Sequence, residues 1–214
     1  MEHHSNILPW QMVSRATGAK LVFLECEPDG TITKEKMDAA FSEHTRMVAV
    51  TQVSNVLGCV NDIPELVKRA RACGAAILMD AAQSAPHMPI DVQKLDVDFV
   101  AFSGHKMLAP MGIGVLYGKQ ELLEKMPPFL SGGDMIAAVH ESGATWAGGP
   151  RKFEAGTRNV GGEVGFAAAI DYMNGIGWQA MEAHEHMLLD RMLAGMRAMP
   201  WLTVYGEPVS YTHL

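Results

Sequence analysis

Ala76-Ile-Leu-Met79 is an unbroken apolar row that stops at the carboxylate of Asp80. A strand with one wet face alternates apolar and polar side chains, so an unbroken row calls for cover on both faces. Leu21-Val-Phe-Leu24 has the same character. Strands are predicted over 20–26, 46–52, 75–80, 97–103 and 112–117. Helix signals fall between them. Thr33 precedes a segment, 34–42, with Met37, Ala40 and Phe41 at helical spacing. Asp62 caps a second, which has Pro64 in its first turn, an inner face of Leu66, Val67 and Ala70, and Gly74 at its end. This alternation predicts an α/β domain: a mainly parallel central sheet with helices on both faces.

After Tyr117 the alternation stops. A short helix is predicted over 121–125, then a long loop from Pro127-Pro128 to Gly149-Pro150. Loops of that length inside a domain usually carry function. Helices are predicted over 163–174 and 178–199, and 202–206 looks strand-like. Met181, Leu188, Met192, Met196 and Met199 share one side of the second helix, where the expectation is core packing. Both chain ends look cut, as in an internal fragment of a longer protein. The expected division is a large domain over 1–175, lacking its N-terminal part, and a long helix opening a smaller C-terminal domain over 176–214.

Bulk properties exclude several function classes. The chain has 214 residues, 48% hydrophobic and 19% charged, an ordinary globular balance. Its net charge of −7 argues against nucleic-acid and membrane-surface roles. No apolar run approaches the roughly 18 residues of a membrane span, and the polar start has no signal-peptide pattern. Cys26, Cys59 and Cys73 are spaced for neither a disulfide framework nor zinc, so the cytoplasm is the default location. No metal is expected either, because His184 and His186 lie two apart and do not share a helix face.

Ligands of open α/β sheets bind beyond the carboxyl ends of the strands. Asp80 ends one predicted strand, and Lys106, 26 positions on, follows another in Phe102-Ser-Gly-His-Lys106. A carboxylate and a lysine so placed suit pyridoxal 5'-phosphate: the amine forms a Schiff base, and the carboxylate keeps the pyridine nitrogen protonated. Bland alternatives are a turn-forming Asp80 and a solvated lysine turn. Other side chains reach the same crevice. Gln83 suits a ring hydroxyl, Asn55 follows the strand over 46–52, and Ser103 and His105 offer donors for a phosphate. His3 and His4 supply imidazoles, one of which would lie over a ring and shuttle a proton. A surface loop is the plainer alternative for the histidines, and a turn for Asn55.

Five separated stretches together resemble one family: Glu2-His-His-Ser-Asn-Ile-Leu-Pro-Trp10, Thr51-Gln-Val-Ser-Asn-Val-Leu-Gly58, Asp80-Ala-Ala-Gln83, Phe102-Ser-Gly-His-Lys106 and Phe153-Glu-Ala-Gly-Thr157. They fall in the order seen in cysteine desulfurases of the Suf type (group II), within the class V aminotransferase group. The resemblance implies the large domain of a fold-type I pyridoxal phosphate–dependent transferase, truncated at both ends. It implies Lys106 as the Schiff-base lysine, Asp80 as partner of the pyridinium and His3 as the ring-stacking histidine. Asn55 and Gln83 would contact the ring hydroxyl, and Ser103 and His105 the phosphate. Thr157 would reach the partner's phosphate across a homodimer. The implied reaction removes sulfur from L-cysteine, giving L-alanine and an enzyme persulfide that passes to a sulfur-acceptor protein for iron–sulfur cluster assembly.

The chain departs from the family pattern in two places. The family's catalytic cysteine and substrate-carboxylate arginine lie beyond its last residue, and the phosphate loop expected before Glu2 is absent. Cys26 and Cys73 are expected to pack, whereas Cys59 lies near the crevice, where a nucleophile would be reachable. The alternatives are a selenocysteine lyase, another class V aminotransferase-type enzyme, or an inactive fragment unable to hold cofactor.

Overall fold

The structure, a computed structural model, describes residues 1–206. Its centre is a four-stranded sheet, β1 Met47–Thr51, β2 Ala76–Asp80, β3 Phe99–Ser103 and β4 Gly114–Gly118, side by side in chain order. The first three strands run parallel, and β4 returns antiparallel along β3. Register aligns Thr51, Asp80 and Ala101 across one rung, so β1, β2 and β3 deliver their carboxyl ends to the same edge.

The helices follow from local chemistry. Thr33 accepts from the Lys36 N–H and opens α2, Lys34–Ala40, whose Met37 is buried. Asp62 accepts from the Glu65 N–H and opens α3, Ile63–Ala72, which buries Ile63, Leu66, Val67 and Ala70. That face packs on β2, where Ile77 and Met79 are fully buried. Each large aliphatic side chain so buried contributes about 1.5–3 kcal/mol. Ala76 and Leu78, on the other face of β2, are half-buried, so cover on that side is less complete than the apolar row predicts. Asp91 caps α4, Val92–Leu95, which leads into β3.

A charged cluster ties the opposite ends of the strands. Asp98 is 5% exposed. Its carboxylate accepts from Arg71 Nη1 and Nη2 at 2.8 and 2.9 Å and from the Ile77 N–H at 2.8 Å, with Lys119 Nζ at 3.2 Å. Burial alone pushes the Asp98 carboxyl up; Arg71, the Ile77 N–H and Lys119 outweigh it and hold it below the usual range.

Several expectations fail. No strand forms over 20–26; Val22 and Phe23 are exposed, and only Leu24 reaches the core. A strand exists only beside a hydrogen-bonding neighbour, and this segment joins no ladder. The loop predicted between Pro127 and Pro150 contains a hairpin, β5 Ile136–His140 and β6 Gly143–Trp146. Its Ile, Val, Thr and Trp suit strands, but flanking glycines hide the signal. An unforeseen helix, α1 Leu8–Thr17, has Pro9 in its first turn and Gly18 closing it in the left-handed region.

The short helix α5 spans Gln120–Lys125. The last two, α6 Val160–Ile176 and α7 Trp178–Arg197, meet at Gly177. Core packing of the α7 methionine side holds only in part. Met181 packs against the core, but Leu188 and Met192, and Met199 just past the helix, are 48%, 58% and 41% exposed, and among the described residues Leu193 alone is buried on this helix. Helical spacing defines a face, but the face stays wet where no other element covers it. Residues 202–206 form no strand, and the remainder of the predicted C-terminal unit lies outside the described residues.

Candidate active site

The parallel strands gather the predicted side chains at one edge. Asp80 is the last residue of β2 and is half-buried. Its Oδ1 accepts from the Ala82 N–H at 2.9 Å. Among the described residues no hydrogen bond reaches its other oxygen. On the neighbouring strand, Ser103 ends β3 and a 3-10 turn, Gly104–Met107, carries His105 and Lys106. Lys106 is half-buried, and its ammonium has no hydrogen-bond or ion-pair partner among the described residues.

Close packing fixes the lysine turn. A Cβ on Gly104 would lie 2.9 Å from Ile113 Cγ2, and one on Gly114 would lie 2.9 Å from the Phe102 carbonyl oxygen. The Gly104 N–H donates to the Ile113 carbonyl at 2.9 Å, so the start of β4 braces the turn. Phe102 meets Phe166 of α6 edge-on, with ring centroids 6.3 Å apart.

Asn55 and Gln83 lie on the loops after β1 and β2. They line a cavity of about 420 Å³ with Ser54, His87, Glu185 and Met192. Lys106 and Asp80 do not line it; α7 forms one of its walls through Glu185, Leu188 and Met192. His87 Nδ1 and Glu185 Oε1 meet at 2.8 Å inside it, and Glu185 Oε2 is buried without a hydrogen-bond partner among the described residues. Gln52 Oε1 and Ser84 Oγ are likewise buried and unpaired, one at the end of β1 and one just past β2.

His3 caps the 3-10 turn His4–Asn6, which packs on β1; its Nδ1 accepts from the Ser5 N–H at 3.2 Å. Thr157 is exposed on the turn before α6 and, among the described residues, shares no hydrogen bond with the other site residues. Cys59 does not meet the needs of a nucleophile. It is 5% exposed, and burial, then the Asp29 charge, pushes its thiol up. A reactive cysteine needs the reverse.

Sequence reasoning missed three participants. Glu2 is half-buried and accepts from the Thr51 N–H at 2.9 Å. Burial pushes its carboxyl up, against the Thr51 and Asn6 hydrogen bonds that lower it. His87 and Glu185 lie 98 positions apart, so no local pattern links them. Glu2 stood inside a quoted motif, and only its partner was invisible.

These features define a class: a mostly parallel α/β domain whose unpaired polar side chains collect beyond the carboxyl ends of its strands. The chain belongs to the aminotransferase class-V family, whose pattern matches residues 1–213. A cysteine desulfurase of Dickeya dadantii is 50% identical over 207 residues, spanning 96% of this chain and 50% of that protein. A probable cysteine desulfurase of Halalkalibacterium halodurans is 52% identical over 206 residues, spanning 96% and 51%. The apo structure of a cysteine desulfurase from Thermococcus onnurineus superposes with a TM-score of 0.89 at 42% identity, over 94% of this chain and 51% of that one. The chain therefore spans about half the length of the curated relatives it matches.

Class V aminotransferase enzymes use pyridoxal 5'-phosphate, and the residues present fit it. The group needs an amine, a carboxylate and neutral donors in one place. Here, among the described residues, Asp80 ends β2 with one oxygen unbonded, and the half-buried, unpaired Lys106 sits on the turn after the neighbouring β3.

Proposed function

We propose that this chain is the cofactor-binding part of a Suf-type (group II) cysteine desulfurase that releases sulfur from L-cysteine. The observation that carries this reading is Lys106, half-buried and without an ion-pair partner among the described residues, on a closely packed turn that follows the strand next to the one ending in Asp80. An unpaired amine in a partly dry place is costly unless it has a reaction to serve. The desulfurase relatives supply the substrate class and disfavour the selenocysteine lyase and other class V alternatives.

Bound there, pyridoxal phosphate supplies a protonated ring that takes up the electron pair left when the substrate's Cα proton departs. Lys106 would hold the cofactor through its amine and would be placed to move that proton. Asp80, through its open oxygen, keeps the proton on the ring nitrogen. Ser103 and His105 bind phosphate, and Asn55 and Gln83 orient the ring edge. His3 would stack on the cofactor ring and would be the group to exchange a proton with the substrate. Thr157, exposed on its turn, serves the partner protomer's phosphate in a homodimer. Residues 1–175 form the large domain and 176–214 open the second. The parent enzyme hands its sulfur to an acceptor protein for iron–sulfur cluster assembly in the cytoplasm.

The test begins with the chain mixed with pyridoxal phosphate and reduced with borohydride, beside Lys106→Ala. A visible absorbance band lost in the variant, with the reduced adduct on the Lys106 peptide, is the expected result. An adduct on another lysine, or no band while circular dichroism shows a folded chain, overturns the cofactor assignment and favours an inactive fragment. The full-length parent is then assayed for alanine from L-cysteine, and its absence refutes the desulfurase reading.

A further inference from the structure

The mechanism leaves Glu2 without a task, yet Glu2 makes the longest-range hydrogen bond of the first turn. The Gln52 N–H donates inward to the Asp80 carbonyl at 2.9 Å. N–H groups alternate direction along a strand, so the Thr51 N–H points away from β2, to the outer edge of the sheet. No strand lies there. Glu2 Oε1 takes that N–H at 2.9 Å across a separation of 49 positions. Its second oxygen accepts from Asn6 Nδ2 at 2.6 Å, and Asn6 Oδ1 accepts from Trp10 Nε1 at 2.9 Å. Asn6 is 7% exposed, and its N–H returns to the His3 carbonyl at 2.8 Å. His3 is therefore held on both sides, by Glu2 before it and by Asn6 after it.

We propose that Glu2 is the positioning residue for His3: its carboxylate pins the first turn to the outer edge of the rung that carries Asp80. The inference rests on the functional reading above, in which His3 lies against a ring held between Lys106 and Asp80. An edge N–H would be satisfied by water at no cost in burial, so a partly desolvated carboxylate needs a further reason. Placement supplies one. Thr51 pairs with Asp80 in the sheet, and the Asp80 charge is felt at Glu2. Fixing Glu2 thus fixes the next residue, His3, at the carboxyl end of β1, one strand away from Asp80.

The test uses the full chain, with Glu2→Ala and Glu2→Gln. Residue-resolved hydrogen exchange reads the Thr51 amide directly, and the ring resonances of His3 read its placement. Glu2→Ala should speed Thr51 exchange by about tenfold or more, since a hydrogen bond to a charged group is lost. It should also move the His3 resonances to free-histidine positions while leaving the Asp98 amide as slow as before. Glu2→Gln keeps an acceptor and should restore both signals. Unchanged Thr51 exchange or unchanged His3 resonances in Glu2→Ala overturns the proposal, and so does a failure of Glu2→Gln to restore them. If the unsubstituted chain takes up no pyridoxal phosphate, the functional reading fails, while both measurements on the chain alone still judge Glu2.

Discussion

Replacing Asp98 by alanine should be among the most destabilising single changes outside the aliphatic core. Its carboxylate joins Arg71, the Ile77 N–H and Lys119, and its backbone carbonyl accepts from the Lys119 N–H at 3.0 Å. Alanine removes the charged acceptor for the Ile77 N–H and leaves Arg71 without its closest carboxylate. Breaking a buried pair costs about 3–5 kcal/mol. The Arg71 side chain is 34% exposed and keeps Asp96, which argues for the lower end, about 3 kcal/mol. For a chain of this size that lowers the melting temperature by roughly 6–12 °C. The effect should depend on pH. The folded Asp98 carboxyl is held below its ordinary 3.8, so its contribution is fully present above that value and fades as pH falls through the lowered one. Urea unfolding at neutral pH and in acid, with Arg71→Ala completing a double-mutant cycle, measures each quantity. A cost under about 1 kcal/mol, or one that does not shrink in acid, refutes the reasoning.

Other outcomes follow from single contacts. Asp80→Ala should change stability by less than about 1 kcal/mol, because only the Ala82 N–H loses an acceptor. In a spectrophotometric titration it should weaken pyridoxal phosphate binding by about tenfold or more. Gly30→Ala places a Cβ 2.5 Å from Cys59 Sγ at a φ of +88°. It should cost about 1–3 kcal/mol in denaturant melts, part of it recovered when Cys59→Ala is added. On α7, Leu193→Ala should cost about 2–4 kcal/mol, whereas Met192→Ala, 58% exposed, should stay within about 0.5 kcal/mol in the same assay.

Local chemistry made the alternating half legible. Thr33 and Asp62 announce α2 and α3 through side chains that cap N–H groups three residues on, within the reach of a sequence pattern. The apolar row ending in Asp80 found β2 to within a residue. What failed depends on distant partners. Leu21-Val-Phe-Leu24 has strand composition, yet the outer N–H of β1 at Thr51 bonds to Glu2. The α7 methionines share a face by helical periodicity, which says nothing about whether another element covers it. At the site, Asp80 and Lys106 were visible because strand ends can be counted. The cavity under α7, closed by His87 and Glu185, was not.

The two ends of the same strands treat carboxylates in opposite ways, and that contrast separates scaffold from chemistry. Asp98, before β3, is surrounded by cations and a backbone N–H that keep it ionised and immobile. Asp80, at the end of β2, has one bonded oxygen and one open, beside a lysine that has no counter-ion among the described residues. Pairing Asp80 with Lys106 directly would leave neither group open for the cofactor roles proposed for them. β2 and β3 are adjacent and parallel, so Asp80 ends one strand and Lys106 follows the end of the other on its turn. The antiparallel β4 then packs its first residues against the lysine turn, where Gly104 and Gly114 leave no room for a side chain. Rigidity at the turn and vacancy at the charges are two consequences of one arrangement of strands.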